Sequence, residues 1–147
     1  MKNFDFKKRN ILVSEGVIFF GKVAIERDVQ IWNNSIIGFS KKGEPPLFEN
    51  INLKRKKQTS IKKGTIVKPY SLICEGAKIG INVEIYEYSR IGFRTLVGDG
   101  TKIVYGAKIY DDVIIGKRSI ISGFCCNKSK IGNETTMMGC LLHKYPV

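Results

Sequence analysis

Eleven positions spaced six apart, Ile61, Val67, Ile73, Ile79, Ile85, Ile91, Val97, Ile103, Ile109, Ile115 and Ile121, are Ile or Val without exception. Four residues after each stands a small or β-branched side chain: Thr65, Ser71, Ala77, Val83, Ser89, Thr95, Thr101, Ala107, Val113, Ser119 and Cys125. A period of six matches neither the roughly 3.6 of an α-helix nor the 2 of an amphipathic strand. It fits a short strand and a sharp corner, repeated, with two inward side chains per unit. Gly80, Gly92, Gly98 and Gly116 directly follow the aliphatic residue, where a tight corner favours glycine.

The units IGINVE, IGFRTL, VGDGTK and IGKRSI resemble the hexapeptide repeat of a family that includes many acyltransferases. The resemblance implies an all-β fold, a left-handed parallel β-helix with three hexads per coil and coils stacked about 4.8 Å apart. Upstream the frame continues through Val13/Val17, Phe19/Val23, Ile25/Val29 and Ile31/Ser35 to Ile37. Downstream it slips by four around ISGFCCNKSK and resumes at Ile131/Thr135 and Met137/Leu141. Hexads in that number build about six coils, a prism near 30 Å long.

The chain is expected to form one domain over 1–147, with an N-terminal cap at 1–12 and one excursion loop at 43–60. Carrying the repeat through that loop would turn Glu49 and Arg55 inward, and an unpaired buried charge costs several kcal/mol. The loop has a stiff Pro45-Pro46 exit and a basic cluster, Lys54, Arg55, Lys56 and Lys57, suited to an anionic ligand or to solvent. With the loop removed, stacking the coils gathers Trp32, Tyr70, Tyr86, Tyr88, Tyr105 and Phe124 on one edge of the prism. The other two edges hold mainly Gly, Asp, Lys and Arg, apart from Phe93 and Tyr110. An aromatic edge of that size reads as an interface, or as a ladder that steadies its own coils. The resemblance implies packing of prisms as a homotrimer.

Charge is the skewed part of the composition, with 25 Lys and Arg against 13 acids, a net of +12. Such a surface attracts anions, whether nucleic acid, acidic membrane or phosphorylated small molecules, or reflects a Lys- and Ile-rich composition alone; against nucleic acid, the aromatic and basic residues fall on different edges. No apolar run reaches the roughly 18 residues of a membrane span and no secretory h-region opens the chain, so a cytoplasmic protein is expected. Cys74, Cys125, Cys126 and Cys140 show no C-x-x-C spacing and the chain has 1 histidine, so the thiols read as reduced and structural, with no metal site.

That histidine, His143, lies just after the final hexads in GCLLHKYPV. An imidazole pKa near 6.5 suits a general base at neutral pH. Members of the family this chain resembles use such a histidine to deprotonate an acceptor, with acetyl-CoA or another acyl-CoA as co-substrate and no bound cofactor. The resemblance therefore implies an N- or O-acyltransferase acting on a sugar or nucleotide sugar, with His143 as base. The sequence does not say which acid orients that imidazole; Glu134 and Asp112 are the candidates. The alternative is a non-catalytic β-helix, a scaffold or anion-binding module without a complete acyl-CoA cleft.

Overall fold

The computed structural model describes residues 6–40, 42, 45–48 and 57–142. The fold is a left-handed parallel β-helix. Among the described residues its three faces are built from 19 short strands, most of them two residues long. The first face stacks β1 (Leu12–Val13), β4 (Gln30–Ile31), β8 (Ile66–Val67), β11 (Glu84–Ile85) and β14 (Lys102–Ile103). The second stacks β2 (Ile18–Phe19), β5 (Ile36–Phe39), β9 (Leu72–Cys74), β12 (Arg90–Ile91) and β15 (Lys108–Ile109). The third runs through β6 (Leu47–Phe48), β3 (Lys22–Ile25), β7 (Thr59–Ile61), β10 (Lys78–Ile79), β13 (Leu96–Val97), β16 (Ile114–Ile115) and β18 (Lys130–Ile131). Successive strands on a face pair in parallel, Ile85 on Ile103 and Ile79 on Val97 for example, 18 residues apart. New coils open at Val13, Ile31, Val67, Ile85, Ile103, Ile121 and Met137, which makes six complete coils and the start of another.

In most of the two-residue strands the second residue points inward, and in β7 the third does. Ile31, Ile61, Ile73, Ile85, Ile91, Ile103, Ile109 and Ile121 are fully buried and form one continuous core. At about 1.5–3 kcal/mol for each fully buried aliphatic side chain, this column is the main stabilising term. The small inward residue closes each corner. Thr95 Oγ1 donates to the Tyr110 carbonyl (2.7 Å) and accepts the N–H of Val113 (3.3 Å). Thr65 does the same with the Gly80 carbonyl and Val83 N–H, and Thr101 with the Gly116 carbonyl and Ser119 N–H. These hydroxyls are more than filler: each satisfies two backbone groups of the next coil that no strand ladder reaches.

The glycines that follow the aliphatic residues answer a different need from the expected one. The left-handed residue of each corner comes two positions later, at Asn82 (φ 51°), Arg94 (φ 55°), Arg118 (φ 53°) and Glu134 (φ 53°). Gly98 and Gly116 are required by crowding instead. A Cβ on Gly98 would lie 2.5 Å from the Gly116 carbonyl, and one on Gly116 would lie 2.5 Å from the Asn133 amide nitrogen.

Near the C-terminal end the coil loses two residues. β17 (Ile120–Cys125) runs straight from the first face onto the second, pairing Ile121 with Ile103 and Cys125 with Ile109. β19 (Thr136–Leu141) stacks on it residue for residue. One edge of the prism therefore vanishes here, and Cys125 fills an aliphatic slot where a small corner residue was expected. At the N-terminal end Leu12 already lies in β1, inside the span expected as a cap, and Phe6, Phe19 and Phe48 close the core with ring centroids 5.1–6.5 Å apart.

The excursion ends earlier than expected at 60, because Thr59 and Ser60 are buried β7 residues paired with Val23 and Ala24. Thr59 has its own corner role, its Oγ1 accepting the Gly76 N–H at 3.1 Å. Within the excursion, Leu47–Phe48 returns to the far side of β3 and caps the third face.

Candidate functional site

The edge between the first and second faces carries Trp32, Tyr70, Tyr86, Tyr88 and Tyr105 as expected from coil stacking. Tyr70 and Tyr88 lie face to face, centroids 5.2 Å apart and planes 2° from parallel, and Tyr105 meets Tyr88 edge-on at 5.7 Å. Lys68 Nζ sits between Trp32 and Tyr86, 6.0 and 5.6 Å from their centroids. Tyr86 donates its hydroxyl to Glu84 (2.9 Å), and that bond first, with the Glu84 charge behind it, raises the phenol pKa. Tyr70 and Tyr88 both hold a left-handed backbone, φ 59°. That conformation costs about 1–2 kcal/mol for a bulky side chain, and a stacked ring pair returns about 0.5–1.5. Half of each ring still faces solvent, as does most of Tyr105.

Phe124 is not on this edge. The two-residue shortening in β17 carries it onto the second face, beside Lys108, where its ring packs against Tyr110 at 4.8 Å. The next edge, between the second and third faces, thereby gains an aromatic line of its own. Phe20 meets Phe39 at 6.1 Å, Phe39 meets Phe93 at 6.5 Å, and the Arg90 guanidinium covers Tyr110 at 4.8 Å.

The excursion leaves and re-enters the helix at this second edge, and a cleft of about 250 Å³ opens there. Its lining is Ser40, Lys42, Lys57, Glu75, Phe93, Arg94 and Asp111. Four of these, Lys57, Glu75, Phe93 and Asp111, recur at intervals of 18 residues, one per coil, so the repeat itself aligns them. Asp111 Oδ1 accepts the Phe93 N–H (3.0 Å) and lies 3.4 Å from Arg90 Nη2. Arg94 forks onto both oxygens of Asp112 at 2.7 and 2.8 Å. This fork, more than the neighbouring charges, raises the Arg94 pKa and lowers that of Asp112. Beside the cleft Cys74 is buried, and desolvation pushes its thiol up to about 11 against the lowering effect of Arg90.

Of the basic cluster expected on the excursion, Lys57 lines this cleft, while Lys54, Arg55 and Lys56 lie outside the described residues. His143 also lies outside them; the last described residues before it are β19 and Leu142. Both acids proposed to orient it are held by arginines: Asp112 by Arg94, and Glu134 by Arg118 at 2.5 and 3.0 Å. Sequence reasoning missed Ser40, Lys42 and Glu75. The 18-residue spacing of Glu75 with Lys57 was the available signal.

The fold recurs in solved structures. A GDP-perosamine N-acetyltransferase from Caulobacter crescentus, in complex with CoA and GDP-perosamine, matches 88% of this chain with a TM-score of 0.62 and 18% identity. What the chain shares with this structure is its fold. The acetyltransferase domain of PglB from Neisseria gonorrhoeae, in complex with acetyl coenzyme A, matches 86% of the chain with a TM-score of 0.57 and 14% identity. The chain spans about half of each of those structures, 50% and 51%. No protein-family model matches the chain, and no curated protein matches it in sequence.

Proposed function

We propose that this β-helix is an acyl-CoA-dependent acyltransferase that moves an acetyl or other acyl group onto an amine or hydroxyl of a sugar or nucleotide sugar. One observation carries the reading: the coil architecture is shared, over 88% of the chain, with an N-acetyltransferase whose structure holds CoA and a nucleotide sugar. The chemistry needs no metal. The acceptor lone pair attacks the thioester carbonyl, a base takes the acceptor proton, and CoA leaves as its thiol. His143 is the proposed base, supported by its being the sole imidazole of the chain and by the neutral pKa of that group. Asp112 and Glu134, the candidate orienting acids, are each paired with an arginine, Arg94 and Arg118.

The net charge of +12 supports attraction of the acyl-CoA phosphates. The exposed, strained Tyr70–Tyr88 stack supports a homotrimer packed along the aromatic edge. Four free cysteines suit a reducing cytoplasm. Among the described residues there is no helix long and apolar enough to cross a membrane.

The test is turnover: acetyl-CoA with a panel of amino sugars and nucleotide amino sugars, following release of free thiol. His143→Ala is expected to lower kcat by roughly 10²–10⁴-fold with acyl-CoA affinity unchanged. A protein that fails to bind CoA in low-salt calorimetry is the scaffold instead.

A further inference from the structure

Within the cleft on the second edge, most polar groups are already engaged. Asp111 is held by Arg90 and the Phe93 N–H, Arg94 by Asp112, and the Ser40 hydroxyl accepts the Lys42 N–H at 3.2 Å. Three charges are left over. Among the described residues, the ammonium groups of Lys42 and Lys57 and the carboxylate of Glu75 have neither an ion-pair nor a hydrogen-bond partner. Glu75 acts on Arg94 only through its longer-range field. Lys42 and Lys57 stand at the two roots of the excursion, an insertion the coil does not need, since Ile37 and Ile61 already occupy successive aliphatic positions of the helix frame. Two unneutralised cations brought together over a mixed cleft add nothing to the fold. They suit an anion.

Size and lining narrow its chemistry. Pockets that enclose drug-sized ligands run to about 300–1,000 Å³. A cleft of about 250 Å³ takes one ring and one phosphate, and is too small for a whole CoA or nucleotide sugar. One wall is the Phe93 ring, backed by Phe39 at 6.5 Å, and suits the C–H face of a pyranose. Glu75 accepts from a hydroxyl or, more strongly, from an ammonium, because charge-assisted hydrogen bonds are roughly twice as strong as neutral ones.

We propose that this cleft binds a phosphorylated amino sugar, the phosphate between Lys42 and Lys57, the ring on Phe93 and the amine on Glu75. The binding itself is independent of acyl transfer; its role as the acceptor subsite rests on the function proposed above.

The two ideas separate in calorimetry without acyl-CoA, using glucosamine phosphate, glucose phosphate and inorganic phosphate as probes. Glucosamine phosphate is expected to bind tightest and inorganic phosphate at least tenfold more weakly. Lys57→Ala and Lys42→Ala should each weaken both sugar phosphates about tenfold. Glu75→Gln should weaken only the amino sugar phosphate, bringing it level with glucose phosphate. Circular dichroism melting, unchanged in all three exposed or half-buried variants, shows that the coil is intact. Equal affinity for inorganic phosphate and glucosamine phosphate overturns the proposal, as does a Glu75→Gln variant that weakens both sugars alike. Binding without turnover would retain the site and discard the acyltransferase.

Discussion

Replacing Thr95 by Val removes a hydroxyl and keeps the shape, so it isolates what the inward hydroxyls do. In the wild type, Thr95 Oγ1 donates to the Tyr110 carbonyl at 2.7 Å and accepts from the Val113 N–H at 3.3 Å. Thr95 and Val113 are both fully buried, so water cannot replace the hydroxyl at the Val113 amide. Leaving a buried donor or acceptor unmade costs about 1–3 kcal/mol, so two of them cost about 2–6. The new methyl returns about 0.8 kcal/mol. Carbonyls tolerate partial satisfaction better than amides, which puts the expected net loss near 1–4 kcal/mol. In urea, with a slope of about 1–3 kcal/mol/M, the midpoint should fall by about 1 M. The single Trp, Trp32, provides the fluorescence signal. Thr95→Ser keeps the hydroxyl and gives up one methyl, so it should lose only about 1 kcal/mol. The order wild type, Ser, Val separates this account from a purely apolar core, which ranks Val at or above wild type and Ser last. Observing that second order would refute the corner role of the hydroxyls.

Thiol chemistry offers an independent check of the core. Cys74 and Cys125 are buried and their pKa values stand at about 11, chiefly through desolvation, so almost none of either is thiolate at neutral pH. A disulfide reagent should therefore modify exposed Cys140 quickly and half-buried Cys126 slowly, and reach the other two only after denaturation. Raising the pH to about 9 should still leave Cys74 and Cys125 unmodified; fast loss of all four thiols would place the core elsewhere. For the proposed homotrimer, Tyr86→Lys with Tyr88→Lys is expected to leave only monomers in sedimentation velocity. Wild-type protein sedimenting as a monomer at micromolar concentration would refute the aromatic-edge interface.

The extent of the fold that could be read in advance follows from how the coil is encoded. A β-helix whose every coil has 18 residues writes its core into the sequence at fixed intervals, and Ile73, Ile91 and Ile109 stack as the interval requires. Positions 18 apart stay interpretable only while the interval holds. At β17 it becomes 16, so a column counted through Tyr105 and Phe124 crosses from an edge onto a face, and Phe124 was misplaced for that reason. The shortening does leave a mark: Ile121, Gly123 and Cys125 are followed 16 residues later by Met137, Gly139 and Leu141. The repeat of a glycine in that frame records two strands running through a missing corner.

The cleft was less legible because two of its charges arrive by a route the repeat does not govern. Lys57, Glu75, Phe93 and Asp111 keep the interval and could have been placed on one edge from sequence alone. Lys42 could not, since its position depends on where the excursion leaves the coil, and Ser40 is the last residue before it does. Electrostatics adds a second obstacle. Sequence gives every carboxylate the same standing, yet Asp112 and Glu134 are occupied by Arg94 and Arg118 while Glu75 is left over. That distinction is set by the left-handed corners at Arg94 and Arg118, which aim each guanidinium along the prism at the acid one coil above. A charge available for binding in this molecule is one the corner geometry has left unpaired, as Glu75 is in the cleft beside the excursion.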